Sequence, residues 1–126
     1  MCSSYLTTMG RNQELGARGE DLVANYLVEH GYQIIDRNWR IKEGEIDLIA
    51  KSRNGSYSFV EVKTRSSLAF GHPLEAITKE KAHRLQCLAL AWLALNNQFG
   101  SEYLIDCASV LIANGRIEID YRKGIL

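Results

Sequence analysis

Three charged residues stand where a sheet would normally carry apolar or neutral side chains: Asp47 in GEIDLIA, and Glu61 and Lys63 in FVEVKTRS. Carboxylates held close together with an ammonium beside them can bind a hard divalent cation, and with one they can hydrolyse a phosphate ester. Whether they meet depends on how two strands pair around Asn54-Gly55. A two-residue turn there would put Ile46, Leu48 and Ala50 on the face opposite Val60 and Val62, splitting the core. A three-residue loop, Arg53-Asn54-Gly55, with Gly55 in the left-handed position of a type I turn plus bulge, keeps the apolar residues together. Ser52 then faces Ser56, Leu48 meets Val60 and Ile46 meets Val62. Asp47 lies opposite Glu61, with Lys63 two residues along on the same face.

Two carboxylates facing each other across a ladder, with Cβ atoms about 5 Å apart, repel by several tenths of a kcal/mol or more. Two arrangements relieve that repulsion. A divalent cation bridging the pair would make it a chelate, and hard oxygen ligands with few histidines point to Mg²⁺ or Mn²⁺ rather than zinc. Alternatively Lys63 neutralises the pair as an ordinary ion-pair network on an exposed strand face. Glu20 adds weight to the first, because it shares a helical stripe with Gly16, Val23, Ala24 and Leu27, and an unpaired carboxylate on a buried stripe is costly. Gly16 and Gly19 are poor helix formers, which predicts close approach of helix to sheet beside Glu20.

The elements that must position these groups follow from periodicity. Residues 15–29 read as a helix stopped by Gly31. Residues 33–41, 45–52 and 57–64 read as strands, and 66–74 as a loop with Gly71 and the single proline, Pro73. A second helix is predicted over 78–98, burying Ala82, Leu85, Leu88, Ala89, Trp92 and Leu95, with Gly100 beyond its end. Strands over 103–112 and 116–121 flank Asn114-Gly115, where a two-residue turn pairs Ala113 with Arg116 and aligns Val110 and Ile112 with Ile119 and Ile117. The order is α-β-β-β-α-β-β: an α/β fold, a mixed β-sheet flanked by helices.

The 126 residues suit one domain, over 13–126, after a flexible N-terminal tail of residues 1–12. With 46% hydrophobic and 24% charged residues the composition is that of an ordinary soluble protein. The apolar run over 87–95 is too short for a bilayer, and the opening MCSSYLTTMG lacks a secretion signal, so no membrane is expected and a cytoplasmic location is. Cys2, Cys87 and Cys107 have no metal-site spacing and are expected reduced, two of them in the core. His30, His72 and His83 are scattered and favour no metal cluster. Fifteen basic residues balance fifteen acidic ones, so nucleic acid could be held only by a local patch.

Asp47, then Glu61-Val62-Lys63 on the next strand, after a helix carrying Glu20, resembles the PD-(D/E)xK nuclease superfamily with its restriction-endonuclease-like core. More narrowly, GEIDLIA, FVEVKTRS, FGHPLEAIT and KAHRL are similar to the YraN family of small endonuclease-like proteins, related to archaeal Holliday-junction resolvases. The resemblance spans roughly residues 16–110. It implies metal ligation by Asp47, Glu61 and the carbonyl of Val62, with Glu20 as the helix glutamate of the resolvase-like branch. It further implies that Lys63 positions or activates the attacking water and stabilises charge on the phosphate. One departure is Gly44-Glu45-Ile46 in place of the proline that names the superfamily.

Chemistry agrees with that implication: phosphodiester hydrolysis needs a water activated at neutral pH and an electrophilic clamp, which a carboxylate-held metal and an ammonium supply. No nucleophile elbow or evident cysteine–histidine pair competes with it. Around the carboxylates lies a patch expected to contact nucleic acid: Thr64, Arg65 and Ser66 after Lys63, and Thr78, Lys79, Lys81 and Arg84 opening the second helix. Lys79 and Lys81 oppose the helix dipole but suit a phosphate bound at that end. Arg37, Trp39 and Arg40 offer a further aromatic-plus-arginine contact. The leading expectation is a metal-dependent endonuclease acting on DNA, including branched or structured DNA, which would call for two sites and a symmetric homodimer. A non-catalytic nucleic-acid-binding module and a protein-interaction domain with a structural charge cluster are the alternatives.

Overall fold

A computed structural model describes residues 11–67 and 77–126. Helix α1 (Arg11–Glu29) is followed by strands β1 (Gln33–Ile41), β2 (Gly44–Lys51) and β3 (Tyr57–Arg65), helix α2 (Lys79–Leu95), and strands β4 (Tyr103–Ala113) and β5 (Arg116–Arg122). This is the predicted α-β-β-β-α-β-β order. Arg11 and Asn12 are already helical, so the expected tail gives way to α1 before residue 13. Most of the predicted 66–74 loop, His72 included, lies outside the described residues.

The five strands form one mixed sheet in the order β1-β2-β3-β4-β5. Only β3 and β4 run parallel, because α2 carries the chain back between them. Each helix covers one face. Val23, Ala24 and Leu27 of α1 pack with Leu48, Ala50, Val60, Ala108 and Val110. Leu85, Leu88, Ala89, Trp92 and Leu93 of α2 pack with Ile46, Ile49, Phe59 and Ile105 on the other. The Trp92 and Phe59 rings meet edge-on, centroids 5.8 Å apart. Completely burying side chains of this size contributes roughly 1.5–3 kcal/mol each. Leu93 takes the buried place predicted for Leu95, which is exposed.

Cap chemistry sets the helix ends. Gly31, at φ +88°, ends α1 as predicted, with the Tyr32 N–H donating to Leu27 O at 2.9 Å. Helix α2 stops short of the predicted 98, because Asn97 takes the left-handed position at φ +57° and the Gln98 N–H closes on Leu93 O at 2.7 Å. Asparagine tolerates that conformation, so Gly100 is not the stop. Of the cysteines, two of which are expected in the core, Cys107 is buried and Cys87 exposed; Cys2 lies outside the described residues.

Both turns have the predicted geometry. Ala113 pairs with Arg116, Ile112 with Ile117 and Val110 with Ile119. At the first hairpin the Ser52 N–H donates to Ser56 O at 2.8 Å, Gly55 has φ +91°, and Leu48 pairs with Val60. Beyond that pair the expectation fails: the β2–β3 register ends at Leu48↔Val60, and Ile46 does not meet Val62. Ile46 joins the α2-side cluster while Val62 packs on the α1 side. Strand β1 changes face at the same level. Its pairing with β2 shifts between Ile34 and Asp36, and Asn38, between the pairs Arg37↔Leu48 and Trp39↔Ile46, has φ +51°, a left-handed backbone that re-aims the side chains on either side.

Candidate active site

The site lies where β2 and β3 part. The Val62 N–H, which a continuing ladder would direct to a strand carbonyl, donates instead to Asp47 Oδ2 at 2.8 Å. Asp47 thereby sits in the opening with its carboxyl against that of Glu61. Burial, then the hydrogen bond and charge of Glu61, push Asp47 up to about 8. Burial also disfavours ionised Glu61, but the hydrogen bond from Asp47 and the Lys81 ammonium outweigh it and hold Glu61 below the usual carboxylate range. Two carboxyl groups so placed keep one proton between them.

Two ammonium groups complete the cluster. Lys81 Nζ lies 2.8 Å from Glu61 Oε2. Its place is set by Thr78, the N-cap of α2, whose Oγ1 accepts the Lys81 N–H at 3.1 Å. Burial tends to lower Lys81, but Glu61 more than compensates and raises it. Burial and the neighbouring Lys81 ammonium instead lower Lys63, with Glu61 and Asp47 opposing. In β4, Cys107 pairs with Glu61 and Ser109 with Lys63. Burial and the Glu61 charge push the Cys107 thiol up to about 11, so it serves as a neutral, apolar neighbour.

The structure therefore brings Asp47, Glu61 and Lys63 together, at the parting of the strands rather than through a continued ladder, and adds Lys81. The sequence places Lys81 in the patch around the carboxylates that is expected to contact nucleic acid, and the structure sets its ammonium on Glu61 itself. The available signal was Thr78, which as N-cap places Lys81 in the first turn of a helix leading back over the sheet. Glu20 stands apart. It is half-buried at the α1 side, where burial raises it, and a hydrogen bond from Asn38 and the charge of Arg37 pull the other way. Its charge also bears on Asp47 and raises it, behind burial and Glu61.

Several expected contacts are otherwise engaged. The Thr64 hydroxyl is buried beneath α1 and faces Gly19 rather than the outer surface, which corrects its assignment to nucleic-acid contact. Arg37 is paired with Asp21 at 2.6 Å and Arg40 with Glu45, while Trp39 packs against the α2-side core. Ser66, Lys79 and Arg84 are exposed and Arg65 is partly so.

The donor chemistry suits a hard divalent ion. Asp47 and Glu61 offer adjacent carboxylate oxygens whose mutual repulsion is relieved here by a proton and by the ammonium of Lys81. Among the described residues no three acidic, histidine or cysteine side chains converge to hold a metal ion.

A five-stranded mixed sheet with a helix on each face, and an Asp…Glu-x-Lys cluster at the parting of its second and third strands, define a restriction-endonuclease-like core of the PD-(D/E)xK type. The profile of the family described as "Uncharacterised protein family UPF0102" matches residues 19–119, and the chain belongs to that family, which is the YraN family. It is 46% identical over 119 residues to a UPF0102 protein of Leifsonia xyli subsp. xyli, covering 94% of this chain and 100% of the relative. A UPF0102 protein of Rhodococcus opacus is 47% identical over 107 residues, covering 85% and 90%. One of Trichlorobacter lovleyi is 45% identical over 104 residues, covering 82% of each chain.

Proposed function

We propose that this protein is a Mg²⁺- or Mn²⁺-dependent endonuclease that hydrolyses phosphodiester bonds in DNA, branched or structured DNA included, and acts in the cytoplasm. The observation that carries this reading is the contact of Asp47 with Glu61 beside Lys63 and Lys81 at the opening between β2 and β3. Asp47 and Glu61 would hold the metal. When bound, such an ion supplies a water nucleophilic at neutral pH and an electrophilic clamp on the phosphate. Lys63, with its lowered proton affinity, is suited to orient that water and to place positive charge against the phosphate oxygens. Glu20 reaches the site as an outer negative charge. Arg65, Ser66, Lys79 and Arg84 form an accessible rim for flanking phosphates. Cutting both strands of a four-way junction would require two copies of the site, hence a symmetric dimer.

The test is cleavage of linear, flapped and four-way DNAs, with RNA counterparts, in Mg²⁺ or Mn²⁺. Hydrolysis abolished by chelator and by Asp47→Asn or Glu61→Gln is the expected result. Hydrolysis that persists in Asp47→Asn would count as contamination and sink the reading.

A non-catalytic nucleic-acid-binding module is the second reading. On its side stands the ammonium of Lys81 already neutralising Glu61. Salt-sensitive DNA binding without cleavage or metal requirement would identify it.

A further inference from the structure

We propose that Lys81 is a displaceable counter-cation of the site: its ammonium occupies the Glu61 carboxylate in place of a divalent ion and competes with that ion for it. The inference rests on the metal-dependent reading above.

The two ends of the ion pair differ in freedom. Glu61 is fixed on the central strand β3, its side chain 10% exposed, whereas the Lys81 side chain is 31% exposed and comes from another element. A four-carbon stem with an outlet to solvent can swing away, while the carboxylate cannot follow. The position also has no merit for the helix itself. A cation in the first turn opposes the macrodipole, and Thr78 already caps the Lys81 N–H, so the benefit of a lysine here lies at its tip. That tip satisfies one carboxylate of a pair. One ammonium contacts one carboxylate, that of Glu61, whereas a divalent ion between Asp47 and Glu61 would contact both. Entry of the ion is therefore an exchange of one cation for another. The released ammonium then remains beside the cluster, where a phosphate drawn to the metal would meet it.

The experiment measures Mn²⁺ affinity by calorimetry or electron paramagnetic resonance, without DNA, on the full chain. Lys81→Met keeps the stem and removes the charge. Replacing a charged hydrogen bond as competitor should tighten Mn²⁺ binding about tenfold, and the gain should vanish in Lys81→Met combined with Glu61→Gln. Lys81→Arg, which grips a carboxylate in a two-pronged fashion, should weaken binding, and it carries the test alone if the methionine variant fails to fold. Equal or weaker affinity in Lys81→Met, or unchanged or tighter affinity in Lys81→Arg, overturns the proposal.

Cleavage by the wild type, assayed in parallel, separates the two readings. Cleavage with unaltered Mn²⁺ affinity in the variants removes the role of Lys81 alone. Altered affinity without cleavage removes the nuclease reading and keeps the exchange. Absence of Mn²⁺ binding in every form overturns both.

Discussion

The carboxyl of Asp47 lies against that of Glu61, and the Val62 N–H fixes it there through a 2.8 Å hydrogen bond to Oδ2. That contact gives folding a pH signature. Asp47 is pushed up to about 8 in the folded protein against an ordinary 3.8, so between those values the folded state holds a proton that the unfolded chain has released. Its contribution is fully present below the ordinary value and is lost as pH rises through the folded one. Glu61 is held low and acts in the opposite sense, its contribution disappearing only as pH falls through the acid range. In chelator-treated protein the unfolding midpoint should drop by several degrees between about pH 5.5 and 8.5. Asp47→Asn should flatten that slope; a wild-type midpoint level across the window would refute the shared proton.

Two glycines three residues apart on α1 should respond to alanine in opposite directions. A Cβ on Gly19 would lie 1.8 Å from Thr64 Oγ1 and 2.9 Å from Thr64 Cβ, whereas one on Gly16 meets nothing within 4 Å. Gly16→Ala should stabilise the protein by about 0.5–1 kcal/mol through helix propensity. The same gain is available at Gly19, but the clash on a stiff β-branched side chain outweighs it, leaving a net loss of about 1–2 kcal/mol. Urea unfolding of Gly19→Ala with and without Thr64→Ala should reveal a coupling that restores much of the loss. Additive effects would mean that the helix does not rest on Thr64.

Part of this was legible in the sequence because it is local. Alternation on either side of Arg53-Asn54-Gly55 admits one register that keeps Leu48 and Val60 together, which brings Asp47 and Glu61 to the same level of the sheet; their contact forms just past the end of that ladder, where Asp47 accepts the Val62 N–H. The face change of Ile46 was not legible. It coincides with Asn38, on a different strand, adopting φ +51° at the same level of the sheet, and strict alternation contains no record of that. The two helix glycines look alike as a pattern, and only the packing partner of Gly19 distinguishes them. The contact of Lys81 with Glu61 was not legible for a related reason. A charge in a first helical turn has a local interpretation, whereas its partner Glu61 lies twenty positions back on a strand that the helix meets only through tertiary packing.

Asn38 joins backbone and site, and two substitutions should separate its roles. Its side chain hydrogen-bonds Glu20 and its backbone is left-handed. Asn38→Ala loses both, with a conformational cost of roughly 1–2 kcal/mol. Asn38→Gly keeps the backbone and releases Glu20 alone. The glycine variant should match the wild type in unfolding free energy within a few tenths of a kcal/mol, and the alanine variant should fall below it. If alanine proves as stable as glycine, the left-handed backbone at Asn38 is not what turns β1.

A second buried carboxylate should matter for stability and not for chemistry. Asp106 is wholly buried on β4 and accepts hydrogen bonds from the Tyr121 hydroxyl and, at 3.0 Å, from the Gly124 N–H. Burial and the Asp106 charge drive the Tyr121 phenol far above its ordinary range, so it remains a donor at any working pH. Just beyond, the Ile125 N–H donates to Ile105 O at 2.8 Å and ties the chain end to β4. Tyr121→Phe removes one donor from a buried anion and should cost about 1–3 kcal/mol. Deleting the residues after 122 removes the Gly124 and Ile125 bonds and should cost a similar amount. Together the two changes leave Asp106 without either partner and should exceed the sum of the single losses. Tyr121 packs with the α1-side cluster, on the face away from Glu61 and Lys63. DNA hydrolysis per folded molecule should therefore match the wild type in Tyr121→Phe, measured well below its unfolding midpoint. A loss of turnover in that variant without a loss of folded protein would show that the Asp106 clasp reaches the site through β4.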